Sequence, residues 1–155
     1  MLAKMTLSIS ITYYRGVQQS SSAQSQQQPN PRCLRVLIAE DDRDTAASLE
    51  ALLKDEGHQT RCVYRGREVV GMARDFAADV VLLDIGMPGM NGYDIARVFR
   101  KLYGSAAPTL IAVTAWNKSA DMLMAKHAGF DHHVAKPYDP KALLGLVEEV
   151  ARRSG

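Results

Sequence analysis

Glu40 and Asp41 directly follow the apolar run Leu34 to Ala39, and Asp84 directly follows the run Asp79 to Leu83. Thr114 ends the run that starts at Thr109, and Lys136, followed by Pro137, ends the run His132 to Ala135. Runs of this length and character read as buried β-strands. Laid side by side in a parallel sheet, they bring these five residues to the rim at the strand carboxyl ends, where open α/β sheets take their ligands. Two or three carboxylates in one crevice repel one another unless a cation lies among them. An all-oxygen cluster with room for water suits Mg2+ (or Mn2+), held at about 2.1 Å. A metal, a lysine and a hydroxyl supply three partners for the three oxygens of a phosphoryl group in transfer. Asp84 is then the nucleophile, since carboxylates form acyl phosphates.

Each residue also has a plainer reading. Asp42 reads as the N-cap of the first helix rather than a metal ligand. Glu40 and Asp41 alone read as a solvated loop, Asp84 as a cap for the glycine-rich turn after it, Thr114 as a cap for the fourth helix and Lys136 as a solvated strand end. The coincidence of all four plain readings on one rim is what argues for chemistry.

The elements that must position these residues follow from the pattern. From Leu34 onward, apolar runs alternate with segments of helical period, the signature of a parallel sheet with helices on both faces. The strands are expected at Leu34–Ala39, His58–Tyr64, Asp79–Leu83, Thr109–Val113 and His132–Ala135, with the second more polar and therefore near an edge. Helices are expected from about Arg43 to Glu56, Gly66 to Phe76, Gly92 to Leu102, Lys118 to His127, and after the Asp139 cap with Pro140 in the first turn. Met87, Met90, Met122 and Met124 read as core or loop filler, and Trp116 as a partly exposed aromatic near the mouth of the site.

The acids after the first strand, the words LLDIGMPGMNG around Asp84, VTA after the fourth strand and KP after the fifth together resemble the receiver domain of two-component response regulators. The match runs from Leu34 to Arg153, with 43 residues from Asp41 to Asp84, 30 more to Thr114 and 22 more to Lys136. The resemblance implies a doubly wound, flavodoxin-like α/β fold with five parallel strands in the order 2-1-3-4-5 and five helices. It implies that Glu40 and Asp41 are the acidic pair, that Asp84 takes phosphate from a kinase histidine, and that the backbone carbonyl of Gly86 joins Glu40, Asp41 and Asp84 around the metal. It implies Thr114 and Lys136 as the hydroxyl and lysine of the site, and a cis bond between Lys136 and Pro137. It implies further that Thr114 and residue 133 form a switch that reshapes the surface of the fourth helix, fifth strand and fifth helix. The chain departs from the family at that second position, where His133 replaces the usual Tyr or Phe. The expected partners are a sensor histidine kinase or a histidine phosphotransfer protein, and a dimer that forms on phosphorylation. The wording DIGMPGMNGYD and AGFDHHVAKPYDP is most similar to receivers at the C-termini of hybrid histidine kinases, so a fragment of one is the alternative.

Composition sets the bounds. The chain has 155 residues, 46% hydrophobic and 23% charged, which suits one domain. Residues 18–31 are Gln, Ser, Pro and Asn with little that can be buried, so residues 1–32 are expected to be a disordered extension or linker and 33–155 the receiver. Lys4, Arg15 and Arg32 lie in the first 33 residues with no acid, leaving 16 basic against 17 acidic residues beyond them. A domain so balanced is a poor polyanion binder, and with two residues after the last helix no DNA partner is expected. No run approaches a membrane span, and Cys33 and Cys62 read as spectators of a reducing, cytoplasmic compartment. An acid phosphatase with an aspartyl phosphate would need a second acid two residues after the nucleophile, where this chain has Gly86. The sequence therefore reads as a phosphoacceptor module rather than an enzyme.

Overall fold

The computed structural model describes residues 32–116 and 118–154. Of the extension expected over residues 1–32, only Arg32 falls among them. The strands are β1 (Arg35–Ala39), β2 (Gln59–Val63), β3 (Val80–Leu83), β4 (Thr109–Thr114) and β5 (His132–Ala135). All pair in parallel in the order β2-β1-β3-β4-β5. The helices are α1 (Arg43–Asp55), α2 (Val69–Phe76), α3 (Gly92–Tyr103), α4 (Ser119–Ala128) and α5 (Pro140–Arg153). The expected second helix begins as a 3-10 turn at Gly66–Glu68 and becomes α-helical only at Val69.

Strand side chains alternate between the two faces of the sheet, so each central strand must be apolar throughout. Leu37, Val81, Leu83, Leu110 and Ala112 pack on one face with Val69 and Ala73 of α2, Ile95 and Phe99 of α3, and Ala125 and Ala128 of α4. Val36, Ile38, Val80, Leu82 and Ile111 pack on the other with Leu49 and Leu53 of α1 and Leu143 and Val147 of α5. The edge strand β2 is half-solvated, as its polarity indicates.

Helix ends follow local chemistry. Asp42 Oδ1 accepts from Thr45 N–H at 2.7 Å, so it is the cap of α1 as expected, and Asp139 caps α5 through Lys141 N–H with Pro140 in the first turn. Asn91 caps α3 through Tyr93 N–H at 2.8 Å, a role the sequence reading did not assign. Met87 is buried as filler, but Met122 and Met124 are not: both are about half exposed on α4, together with Leu123. The reason is that α4 meets the core through two alanines, Ala125 and Ala128, which places the neighbouring large side chains outward.

Candidate functional site

Backbone bonds that run past the strand ends set the site. Asp84 N–H donates to the Ala39 carbonyl at 3.0 Å, which seats Asp84 beside Glu40 at the point where strand order reverses. Lys136 N–H donates to the Thr114 carbonyl at 2.8 Å, tying the hydroxyl and the lysine to adjacent positions on β4 and β5. The Lys136–Pro137 bond is cis.

The charged groups then meet. Lys136 Nζ lies 2.6 Å from Glu40 Oε2 and 3.2 Å from Asp84 Oδ2, so one ammonium bridges two carboxylates. Glu40 is 3% exposed, and its other oxygen accepts the Asp42 N–H at 3.1 Å. Burial pushes the Glu40 carboxyl above its usual range, with the charge of Asp84 adding to the push and Lys136 and the Asp42 N–H opposing it. For Lys136, burial alone would lower the ammonium, but its bond to Glu40 and the charges of Asp84 and Glu40 outweigh that and hold it above its usual value. Both directions describe one tightly coupled arrangement in which the lysine stays charged.

Glu40, Asp41 and Asp84 each offer an oxygen within 4.8 Å of the others. Hard oxygen donors of this kind are the ones a Mg2+ ion takes, so Glu40, Asp41 and Asp84 are the residues that would hold one. Asp41 is exposed, while Asp42, spent on the helix cap, is not part of the set.

The loop after β3 fixes Asp84. Gly86 N–H donates to Asp84 Oδ1 at 2.9 Å, which aims the other oxygen at Lys136. Ile85 and Met87 are buried and pin the loop to the core on either side of Gly86. The return into α3 needs Gly92, because a Cβ there would lie 2.6 Å from Ile85 Cα. Gly86 is exposed at the position where an acid phosphatase would need its second acid.

Thr114 is 1% exposed and accepts the Trp116 N–H on Oγ1 at 3.2 Å. It does not cap α4, whose first turn is closed instead by Asp121 accepting from Lys118 N–H. His133 is half-buried, with Nε2 2.9 Å from the Trp116 carbonyl. The structure thus brings Glu40, Asp41, Asp84 and Lys136 into one cluster, and joins Thr114 to it through the backbone and to His133 through Trp116. The sequence reading left Trp116 without a role; its backbone contacts follow from the turn after β4, which no residue type signals.

A family described as the response regulator receiver domain matches residues 36–148. Among relatives, the DNA-binding response regulator MtrA of Mycolicibacterium smegmatis is 35% identical over 120 residues, covering 77% of this chain and 51% of that protein. MtrA of Mycobacterium tuberculosis is 34% identical over the same length and coverage. The chain spans about half the length of the curated relatives it matches. Among solved structures, a response regulator signal receiver domain from Bermanella marisrubri is 27% identical with a TM-score of 0.70, covering 77% of this chain and 98% of that one. A CheY-like receiver domain from Methanospirillum hungatei, at 24% identity and a TM-score of 0.71, covers 80% of this chain and 100% of its own and bears on the fold alone.

Proposed function

The chain belongs to the response regulator receiver family, and from that premise we propose that Asp84 is its phosphoacceptor, taking a phosphoryl group from a phosphohistidine. The observation that carries this reading is the bridge of Lys136 between Glu40 and Asp84, which holds one oxygen of Asp84 on the lysine and the other on Gly86 N–H. In the transfer, an Asp84 oxygen forms a bond to phosphorus as the bond from phosphorus to the imidazole nitrogen breaks, and the imidazole leaves with the electron pair. Lys136 then faces a phosphoryl oxygen, and the Thr114 hydroxyl, which accepts the Trp116 N–H on its oxygen and keeps its own hydrogen to give, donates to another. Glu40, Asp41, Asp84 and the carbonyl of Gly86 are the residues that would hold Mg2+, which when bound neutralises charge on the phosphoryl oxygens.

The protein is a phosphoacceptor that assists its own phosphorylation and dephosphorylation and turns over no small substrate, a reading that Gly86 in place of a second acid supports. Its donor is a sensor histidine kinase or a histidine phosphotransfer protein. Turning of Thr114, with His133 in the partner position, reshapes the α4, β5 and α5 surface by shifting an equilibrium between two arrangements. DNA binding is named for the longer relatives, of which this chain matches half. The relatives favour a response regulator over a hybrid kinase fragment as the protein that carries this receiver. Among the described residues no helix is long and apolar enough to cross a membrane.

The test is intact mass after incubation with acetyl phosphate, with Mg2+ and with a chelator in its place. One added phosphoryl group with Mg2+ and none with the chelator is expected. Equal uptake in both would remove the metal from the site.

A further inference from the structure

The turn after β2 and the loop after β3 touch backbone to backbone. Gly66 is buried, and a Cβ there would come 2.8 Å from the Met90 carbonyl oxygen. Beside that contact is a cleft of about 450 Å3, lined by Tyr64, Arg65 and Arg67 of the first segment and by Pro88 and Met90 of the second. Cavities that hold ligands run from roughly 300 to 1,000 Å3. None of Glu40, Asp41, Asp84 and Lys136 lines this one. It adjoins the β2 edge of the sheet, whereas the surface of α4, β5 and α5 lies at the opposite edge.

The cleft is mostly apolar in its walls and cationic at its border. Arg67 is exposed and makes no ion pair among the described residues. Arg65 has only Glu68 at 3.9 Å, too long for a hydrogen bond. Arg43 lies over the Tyr64 ring, 4.2 Å from its centroid, and it too has no carboxylate partner among the described residues. A ring face attracts the charge of a guanidinium but takes none of its five N–H donors. Three such groups therefore stand around one apolar cleft with donors left to give.

A guanidinium matches a carboxylate, and walls of Tyr64, Pro88 and Met90 match an apolar side chain. Both demands are met by a protein segment that carries the two together. A nucleic acid meets neither well. Beyond residue 33 the chain has 16 basic against 17 acidic residues, and Asp41, Asp42 and Asp44 are exposed on either side of Arg43, so a long polyanion finds repulsion beside each attraction.

We propose that this cleft docks a segment of a partner protein in which an apolar side chain is flanked by carboxylates. The apolar side chain enters beside Tyr64 and Met90, and the carboxylates pair with Arg65 and Arg67. Arg43, held by Tyr64, adds to the positive field. Because the cleft and the α4, β5 and α5 surface lie toward opposite sheet edges, both can be engaged at once.

The experiment follows the amide resonances of the isotope-labelled full chain as capped peptides are added to millimolar concentration. The probes are EELFEE, then KKLFKK, which reverses the charge, and EESSEE, which removes the apolar pair. EELFEE shifts the amides of Arg65, Gly66, Arg67, Gly89 and Met90 in a saturable way. KKLFKK and EESSEE bind about tenfold more weakly or worse, the factor that one charge-assisted hydrogen bond or one buried apolar side chain carries. Arg65→Ala combined with Arg67→Ala, which removes only exposed side chains, keeps the parent melting temperature and loses the same factor toward EELFEE. Shifts centred elsewhere, or none with EELFEE, overturn the site. Equal binding of KKLFKK or EESSEE overturns the pairing of carboxylates with an apolar anchor, and an EELFEE titration unaltered by the double variant overturns the role of the arginines. Oligothymidylate or inorganic phosphate that shifts the same amides as strongly as EELFEE assigns the cleft to phosphate and overturns the protein partner.

Discussion

Lys136 stands between two carboxylates, and the local energetics follow from its charge. Replacing it by Met leaves Glu40, 3% exposed, with no counter-ion beside Asp84. Loss of one partner of a buried pair costs about 3–5 kcal/mol, and because Lys136 is a quarter exposed the expected loss here is about 1–3 kcal/mol. Urea denaturation of Lys136→Met at neutral pH measures it. A Mg2+ ion held by Glu40, Asp41 and Asp84 would relieve the same repulsion in the native state only, so on the proposed reading millimolar Mg2+ should raise the melting temperature of the parent. Asp41→Ala removes the exposed ligand and should abolish that rise; equal rises in both proteins would place the ion elsewhere. At this scale the charged residues were legible from type and position, because although each has a plain structural reading alone, all of them fall on one rim at the strand carboxyl ends. Trp116 and the amide of Gly86 were not, since a backbone donor carries no signature in its residue type.

The helices differ in how well their sequences match their places. Gly145 lies exposed in the middle of α5, and a Cβ there meets nothing within 4 Å. Gly145→Ala should therefore stabilise by about 0.5–1 kcal/mol through helix propensity alone. Gly92 is the reverse case: its Cβ would lie 2.6 Å from Ile85 Cα, so Gly92→Ala must displace the loop that carries Asp84. It should lower both stability and phosphoryl uptake, whereas Gly145→Ala should leave uptake alone; thermal melts with intact-mass rates separate the two. Strand positions and caps at Asp42 and Asp139 could be read because buried parallel strands are apolar on both faces and caps have few residue types. The exposure of Met122 and Met124 could not, because α4 has alanines where the core lies and large apolar residues elsewhere, which inverts the usual signal.

Over the whole molecule, stability should depend on pH through a group far from the site. His58 is buried and its Nδ1 accepts the Leu34 N–H at 3.2 Å, joining the start of β1 to the turn after α1. Burial holds its pKa below the usual 6.5, against the upward pull of Glu56 and Glu148. Below pH 6.5 the unfolded chain therefore binds the proton first, so this contribution is complete above 6.5 and is lost as pH falls toward the folded value. His58→Gln should flatten the fall in urea midpoint between pH 6.5 and 5.5; an unchanged slope would assign it to other groups. The strand order came from family resemblance, since periodicity identifies strands but not their neighbours. The claim on which all else rests is that Asp84, alone among the acids, takes the phosphoryl group. Intact mass of the parent and of Asp84→Asn, each incubated with acetyl phosphate and Mg2+, tests it most directly. The account predicts one added phosphoryl group on the parent and none on the variant; equal gain by Asp84→Asn would contradict it.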